Sequence, residues 1–200
     1  MGYDKQKLEE VFDDPEFQEL IKNNDWEKIM KKGYFDNGIY QNNLASFIIQ
    51  ELKYPLLEQL DKIPGYCFYG DENIQGDFVI PSSVESIHWN AFRKCNNLKN
   101  IIIPQSVTSI REGAFYLCKN LTSITIPSSV VTSIGSFVFR DCTGLKSVTI
   151  ESNMIRIKRH AFFGCRNIRD VYYKGTQEEF ENIVDPEGNE FLLNSNFHQI

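Results

Sequence analysis

Between residues 91 and 165 the chain writes one short phrase four times: a small apolar residue, Phe, two variable residues and Cys. The copies are Ala91-Phe92 to Cys95, Ala114-Phe115 to Cys118, Val138-Phe139 to Cys142 and Ala161-Phe162 to Cys165, and their cysteines lie 23, 24 and 23 residues apart. Three residues beyond each Cys stands a branched aliphatic, Leu98, Leu121, Leu145 or Ile168, and apolar residues then fall at offsets of three and five, as in Leu121, Ile124 and Ile126. This L-x-x-I-x-I rhythm predicts a short strand whose alternate side chains face one way. Pro81, Pro104 and Pro127 end it, and an S-V-x-S-I phrase such as Ser106-Val107-Thr108-Ser109-Ile110 carries a second apolar pair into the next Ala-Phe. A unit of this length cannot enclose its own Leu, Ile and Phe, whereas stacked units lay each apolar position on its twin and build a continuous core. The period therefore predicts a solenoid.

A fifth, worn copy precedes the clear ones. Leu60, Ile63, Cys67-Phe68, Ile74 and Ile80-Pro81 fall where Val84, Ile87, Ala91-Phe92, Leu98 and Ile103-Pro104 fall one coil later, so the array is expected to begin near residue 63. The extra residue of the 24-residue step sits around Val130-Val131 and predicts a bulge in a turn.

The units "LKNIIIPQSVTSIREGAFYLC" and "LTSITIPSSVVTSIGSFVFRDC" resemble the BspA-type leucine-rich repeats. The close of the chain, "VYYKGTQEEFENI" at 171 to 183 and "GNEFLLNSNF" at 188 to 197, is similar to the segment that follows the last repeat in that family, and the resemblance covers residues 63 to 197. It implies a curved solenoid that binds other molecules, usually proteins, and no reaction. The expected fold is α+β: about five coils of 23–24 residues with short strands, spanning 63–175, behind a helical domain or cap at 1–62 and before a C-terminal cap at 176–200.

Helix signals mark both ends. In the front, Lys5 to Phe12, a helix opened by Asp14 and Pro15 and carrying Phe17, Leu20 and Ile21, Trp26 to Lys32, and about Asn43 to Tyr54 each show an apolar face. Those faces are expected to form a core or to cap the first coil, which a solenoid end needs. Thr176 and Glu179 form a capping-box pattern for a short helix through Phe180 and Ile183.

Chemistry-bearing residues do not converge in the sequence. Each ladder cysteine is a full coil from the next, which is not the close spacing of a metal site, and stacked equivalent positions point their Cβ vectors in parallel rather than at one another. The expectation is a ladder of reduced, buried thiols, with Cys67 off the ladder at the Ala position, and no metal or cofactor. His88, His160 and His198 are scattered, and Gly70, Gly76 and Gly113 belong to turns rather than to a phosphate loop. No apolar run is long enough to span a bilayer, and the charged opening MGYDKQKLEEVFDD is unlike a secretory signal, so the reading is cytoplasmic, or cell surface if a signal was removed.

Charge divides the chain. Residues 1–62 hold 8 Lys/Arg and 13 Asp/Glu, residues 63–175 hold 13 and 8, and residues 176–200 hold none and 6, so a basic solenoid lies between acidic ends. Basic residues crowd toward the last coil, including Arg156, Lys158 and Arg159. The strand positions that face away from the core stack into columns: Lys99, Thr122, Lys146, Arg169; Asn100, Ser123, Ser147, Asp170; and Ile102, Thr125, Thr149, Tyr172. The first and third columns and the basic cluster are the expected binding residues, with Tyr172 beside Arg169 as the anchor. The leading expectation is a non-catalytic module that grips a protein partner with an acidic surface through the sheet face, the helical front or both, as an intracellular adaptor or an inhibitor such as a viral counter-defence factor. The alternatives are a small surface adhesin and, last, an enzyme in the front. Nucleic acid ranks low against a pI near 5.2 and few exposed aromatics beyond Phe163 and Tyr172.

Overall fold

The repeats alternate aliphatic with polar residues over four or five positions, and in three of them Pro81, Pro104 or Pro127 follows, a pattern that suits a short strand with one buried face. The computed structural model describes residues 14–23, 28, 61–63, 65, 67–72, 74–130, 133–152 and 155–200. The chain divides into two compact units, Met1–Gln41 and Asn42–Ile200.

In the first unit, helix α1 (Pro15–Lys22) begins as its sequence requires. The Glu16 N–H donates to Asp14 Oδ1 at 2.8 Å, Pro15 takes the first helical position, and Phe17 and Leu20 are buried. The other expected front helices, at Lys5 to Phe12, Trp26 to Lys32 and Asn43 to Tyr54, lie outside the described residues apart from Lys28, as does the expected cap over the first coil.

The second unit is a parallel solenoid with two strand ladders. The longer strands are β2 (Gly76–Val79), β4 (Leu98–Ile102), β6 (Ser123–Ile126), β8 (Ser147–Ile150), β10 (Asp170–Tyr173) and β11 (Asn196–Gln199). Strands β6, β8, β10 and β11 form one sheet and β2 and β4 another. The Thr122 N–H donates to the Lys99 carbonyl at 2.9 Å where the two sheets meet. The S-V-x-S-I phrases supply a second ladder, β1 (Lys62–Ile63), β3 (Ser86–Ile87), β5 (Ser109–Ile110), β7 (Ser133–Ile134) and β9 (Arg156–Ile157). Its buried isoleucines pair coil to coil, Ile63 with Ile87, Ile87 with Ile110, Ile110 with Ile134 and Ile134 with Ile157. The serine of this phrase has a local reason: the Ser106 and Ser129 hydroxyls donate to the carbonyls of Val84 and Val107 in the preceding coil. The bulge expected at Val130-Val131 falls partly outside the described residues, with Val130 and Ile134 both fully buried.

Register makes the core. Phe68, Phe92, Phe115, Phe139 and Phe162 are at most 1% exposed, and their rings stack with centroids 4.9, 5.3, 5.4 and 5.0 Å apart. Beside them the thiols of Cys95, Cys118, Cys142 and Cys165 each donate to a Phe carbonyl one coil back, at 2.8 to 3.1 Å. All five cysteines are free and buried, and burial pushes the Cys118 thiol up to about 12.

The turns carry a third ladder. N–H groups of Phe68, Phe92, Phe115 and Phe139 donate to the carbonyls of Ala91, Ala114, Val138 and Ala161, each one coil ahead. Aiming these groups along the axis puts two residues per coil in the left-handed region: Asn90, Phe137 and His160 before the small residue, and Lys94, Leu117 and Asp141 before Cys, with φ of 55 to 63°. Glycine relieves the same positions at Gly113 and Gly164.

The C-terminal cap is itself a sixth coil, one more than the sequence reading counted. Val184 bridges to Ile157, Gly188 takes the positive φ of Asn90 and Gly113, Asn189 stands in the Ala position, and β11 closes the long ladder. Helix α2 (Gln177–Ile183) is inserted before Val184, with the capping box in place: Glu179 N–H donates to Thr176 Oγ1 at 3.2 Å and Thr176 N–H to Glu179 Oε2 at 2.8 Å. A second short helix, α3 (Glu190–Leu193), follows and buries Leu192. Asn189 completes the turn ladder with its side chain. Its Oδ1 accepts the Phe162 N–H at 2.9 Å, and its Nδ2 donates to the carbonyls of Lys158 (3.0 Å) and Asp185 (2.7 Å).

Candidate functional site

On the long ladder, inward positions alternate with outward ones, and parallel pairing holds each outward residue beside its counterpart. Thr125 pairs with Thr149, Thr149 with Tyr172 and Tyr172 with His198, while Ile102 pairs with Val79. The column read from the sequence as Ile102, Thr125, Thr149 and Tyr172 is therefore longer at both ends. Ile102 and Val79 are each 56% exposed, an apolar pair at one end, and at the other the rings of Tyr172 and His198 stack at 4.6 Å.

The neighbouring columns supply charge and hydrogen bonds. Lys99, Lys146 and Arg169 are exposed and Thr122 is half-buried between them, tied coil to coil by Lys146 N–H to the Thr122 carbonyl and Arg169 N–H to the Lys146 carbonyl, both 2.8 Å. In the next column the Asn100 Nδ2 donates to Asp77 Oδ1 at 2.6 Å and Asn100 Oδ1 accepts from Thr122 Oγ1 at 2.9 Å. At the far end Asp170 Oδ1 lies 2.9 Å from His198 Nε2 and 3.3 Å from the Asn196 amide nitrogen. Those two contacts, His198 first, hold the Asp170 carboxyl below the usual carboxylate range.

Arg156, Lys158 and Arg159 do not join this face. Arg156 belongs to the second ladder, and Lys158 and Arg159 to the turn that follows it, where Arg159 pairs with Glu187 at 3.3 Å. Their exposure stands, but the structure gives them to a different side of the coil.

Two functional candidates escaped the sequence reading. His198 looked isolated because its partner Asp170 is 28 residues away, and only the extra strand β11 brings them together. The other is the residue after each Ala-Phe pair, which runs Tyr69, Arg93, Tyr116, Arg140, Phe163. The signal was present in the repeat alignment as an aromatic–arginine alternation. The guanidinium of Arg93 lies 5.6 Å from the Tyr69 ring and 4.5 Å from Tyr116, and that of Arg140 lies 5.5 Å from Tyr116 and 5.0 Å from Phe163.

Among the described residues no group of three or more His, Cys, Asp or Glu side chains could hold a metal ion, and no helix is long and apolar enough to cross a membrane. His88, in a second-ladder turn, is pushed below its ordinary value by burial and by Arg111 and Lys62.

The geometry has relatives. A protein from T. pallidum, "Leucine Rich Repeat protein (TpLRR)", shares 30% identity and superposes with a TM-score of 0.52 over 56% of this chain and 52% of its own. A leucine-rich-repeat protein from Eubacterium ventriosum shares 31% identity, with a TM-score of 0.51 over 62% of this chain and 32% of its own. The chain thus spans about half the length of the first and a third of the second. The pneumococcal vaccine antigen PcpA, at 15% identity and a TM-score of 0.52 over 72% of this chain and 40% of its own, shares the fold. No curated protein matches the chain. The BspA type leucine rich repeat region matches residues 61–184 in six copies. The chain belongs to the BspA-type leucine-rich-repeat family.

Proposed function

We propose that this chain is a non-catalytic protein-interaction module that holds a partner protein on its long-strand face. The observation that carries this reading is the outward column of Thr125, Thr149, Tyr172 and His198, held in register by the ladder, with exposed Ile102 at its other end and the basic Lys99, Lys146 and Arg169 alongside. Backbone pairing fixes where these residues stand before any partner arrives, and the Tyr172 ring is already stacked on His198, so little backbone ordering entropy is lost on binding. An amphipathic, stacked Tyr172 in the midst of flexible cations has the composition of a hot spot, and the cations favour an acidic partner surface. Such a module acts by occupancy, as an adaptor or an inhibitor within a cell.

The test is affinity capture from the native or host cell, using the wild type beside a variant carrying Lys99→Glu, Lys146→Glu, Arg169→Glu and Tyr172→Ala. The captured protein is then purified and its affinity for both forms measured. A loss of about thirtyfold or more, from an anchor of about 2 kcal/mol and reversed charge, supports the reading. Equal affinity for a variant with the wild-type circular dichroism moves recognition off this face.

A further inference from the structure

Most of the solenoid's basic residues lie off the long-strand face. The four turn segments 88–97, 111–120, 135–144 and 158–167 hold eight of the thirteen Lys and Arg residues between 63 and 175, and only two of the eight acids, Glu112 and Asp141. Within this turn face the arginines are set between rings. Arg93 is clamped by Tyr69 and Tyr116, Arg140 by Tyr116 and Phe163, with Phe137 5.3 Å from Arg140. A shallow groove runs along them, lined by Trp89, Arg93, Glu112, Tyr116, Phe137 and Arg140. Trp89 and Phe163 are 48% and 40% exposed.

Stacking occupies the flat faces of a guanidinium and leaves its in-plane N–H donors for an anion. Arg140 Nε lies 3.4 Å from Asp141 Oδ2. Among the described residues no carboxylate pairs with Arg93, and its Nε, buried, has no hydrogen-bond partner. Tyr116 has an arginine on each side, so its ring faces are not open to a stacking base, and what it offers outward is an edge. An arrangement of fixed cations and aromatic edges suits carboxylates separated by proline or other apolar residues.

Spacing selects the backbone. Arg93 and Arg140 are two coils apart, about 10–11 Å, bracketed by the ordinary strand separation and by the 5.3 and 5.4 Å steps of the adjoining Phe stack. In an extended β-strand, same-face residues recur about every 6.7 Å, and the residue three places on points the opposite way. In a polyproline II helix the rise of about 3.1 Å and three residues per turn return the same face every ~9.3 Å. From this match we infer that the turn face binds an acidic, proline-rich segment in the polyproline II conformation, with carboxylates three residues apart on Arg93 and Arg140 and prolines on the aromatic edges between. This surface is separate from the long-strand face of the proposed function, and either can fail alone.

The test is fluorescence anisotropy with two labelled nonapeptides of one composition, EPPEPPEPP and EEEPPPPPP, and with an oligo-dT nonamer of single-stranded DNA. The spaced peptide is expected to bind wild type saturably, at least about fivefold tighter than the permuted one, since only it can reach both arginines. R140Q, and the R93Q/R140Q pair, should weaken it by about tenfold or more, while the Lys99, Lys146, Arg169 and Tyr172 variant binds as wild type does. Equal affinity for the two peptides reduces the site to net charge and overturns the proposal. Tighter binding of oligo-dT overturns it too, as does no saturable peptide binding or a loss caused by the long-strand variant. The peptide comparison on wild type decides the matter even if the arginine variants unfold.

Discussion

Asn189 is the residue on which the last coil hangs, and its removal gives a calculable cost. Every preceding Phe N–H of the stack donates to a backbone carbonyl one coil ahead, but Phe162 has only the Asn189 side chain. In Asn189→Ala the buried Phe162 N–H loses its acceptor, a penalty of about 2 kcal/mol. The Asp185 carbonyl loses a donor in a more exposed place, and the Lys158 carbonyl keeps the Ala161 N–H at 3.1 Å, so these two together cost about 1 kcal/mol. The total of about 3 kcal/mol corresponds to a fall in Tm of about 6–12 °C for a domain of this size, read by circular dichroism. Asn189→Asp separates the hydrogen bonds from mere volume. It keeps the acceptor for Phe162 but sets a carboxylate against two carbonyl oxygens in a fully buried position, which raises its folded pKa. A folded pKa raised above the unfolded value means stability is gained as pH falls, so the variant should recover part of its loss between pH 7 and pH 5. If Asn189→Ala lies within 1 kcal/mol of wild type, or Asn189→Asp equals wild type at pH 7, the side chain is not acting as the missing carbonyl and the account of the cap is wrong.

Other consequences can be read with similar measurements. Phe115 has a stacked ring on both sides and Phe162 on one, so Phe115→Leu should cost about 1 kcal/mol more than Phe162→Leu in urea unfolding, and equal costs would reduce the column to volume filling. Burial that raises the Cys118 thiol to about 12 predicts that the native protein resists a thiol reagent at pH 8, while the denatured chain titrates all five cysteines; fast labelling of the native ladder would contradict the packing. For His88 the folded pKa lies below the ordinary 6.5, so the unfolded chain binds the proton more readily and stability, full above about pH 6.5, declines as pH falls below it. His88→Gln should flatten the fall in Tm between pH 7.5 and 5.5, and an unchanged slope would show that His88 is not its source.

The period was legible because each core letter must lie on its twin. Ile63 and Phe68, in the worn first coil, could be placed from one aliphatic and one ring, and both are buried in their columns. What the period hid was anything that replaces a backbone group by a side chain or spans a full coil. Asn189 occupies an Ala position and looks like a lapse in the repeat, yet it is there to finish a ladder of carbonyls. The second ladder was read only as an apolar pair, since two-residue strands such as Ser109–Ile110 are too short to show an alternation. The outward columns were legible from the same period, but which of them share a face was not. Arg156, Lys158 and Arg159 are near Arg169 in sequence and belong to another side of the coil.

A solenoid converts sequence period into distance, and this has a consequence for how its faces recognise ligands. A column with one kind of residue per coil presents a group about every 4.8 Å, finer than any extended peptide can match with like side chains. The long-strand column of Thr125, Thr149 and Tyr172 therefore suits a folded surface, which can set groups at any spacing. Alternating two residue types doubles the interval without altering the coil. The run Tyr69, Arg93, Tyr116, Arg140, Phe163 does this, and its spacing of about 10 Å falls within the reach of three polyproline residues. Because the alternating residue follows the buried Phe and precedes the buried Cys by two places, its identity can change while both core contacts stay. The core thus sets where ligand groups must lie, and the variable letter sets which groups they are.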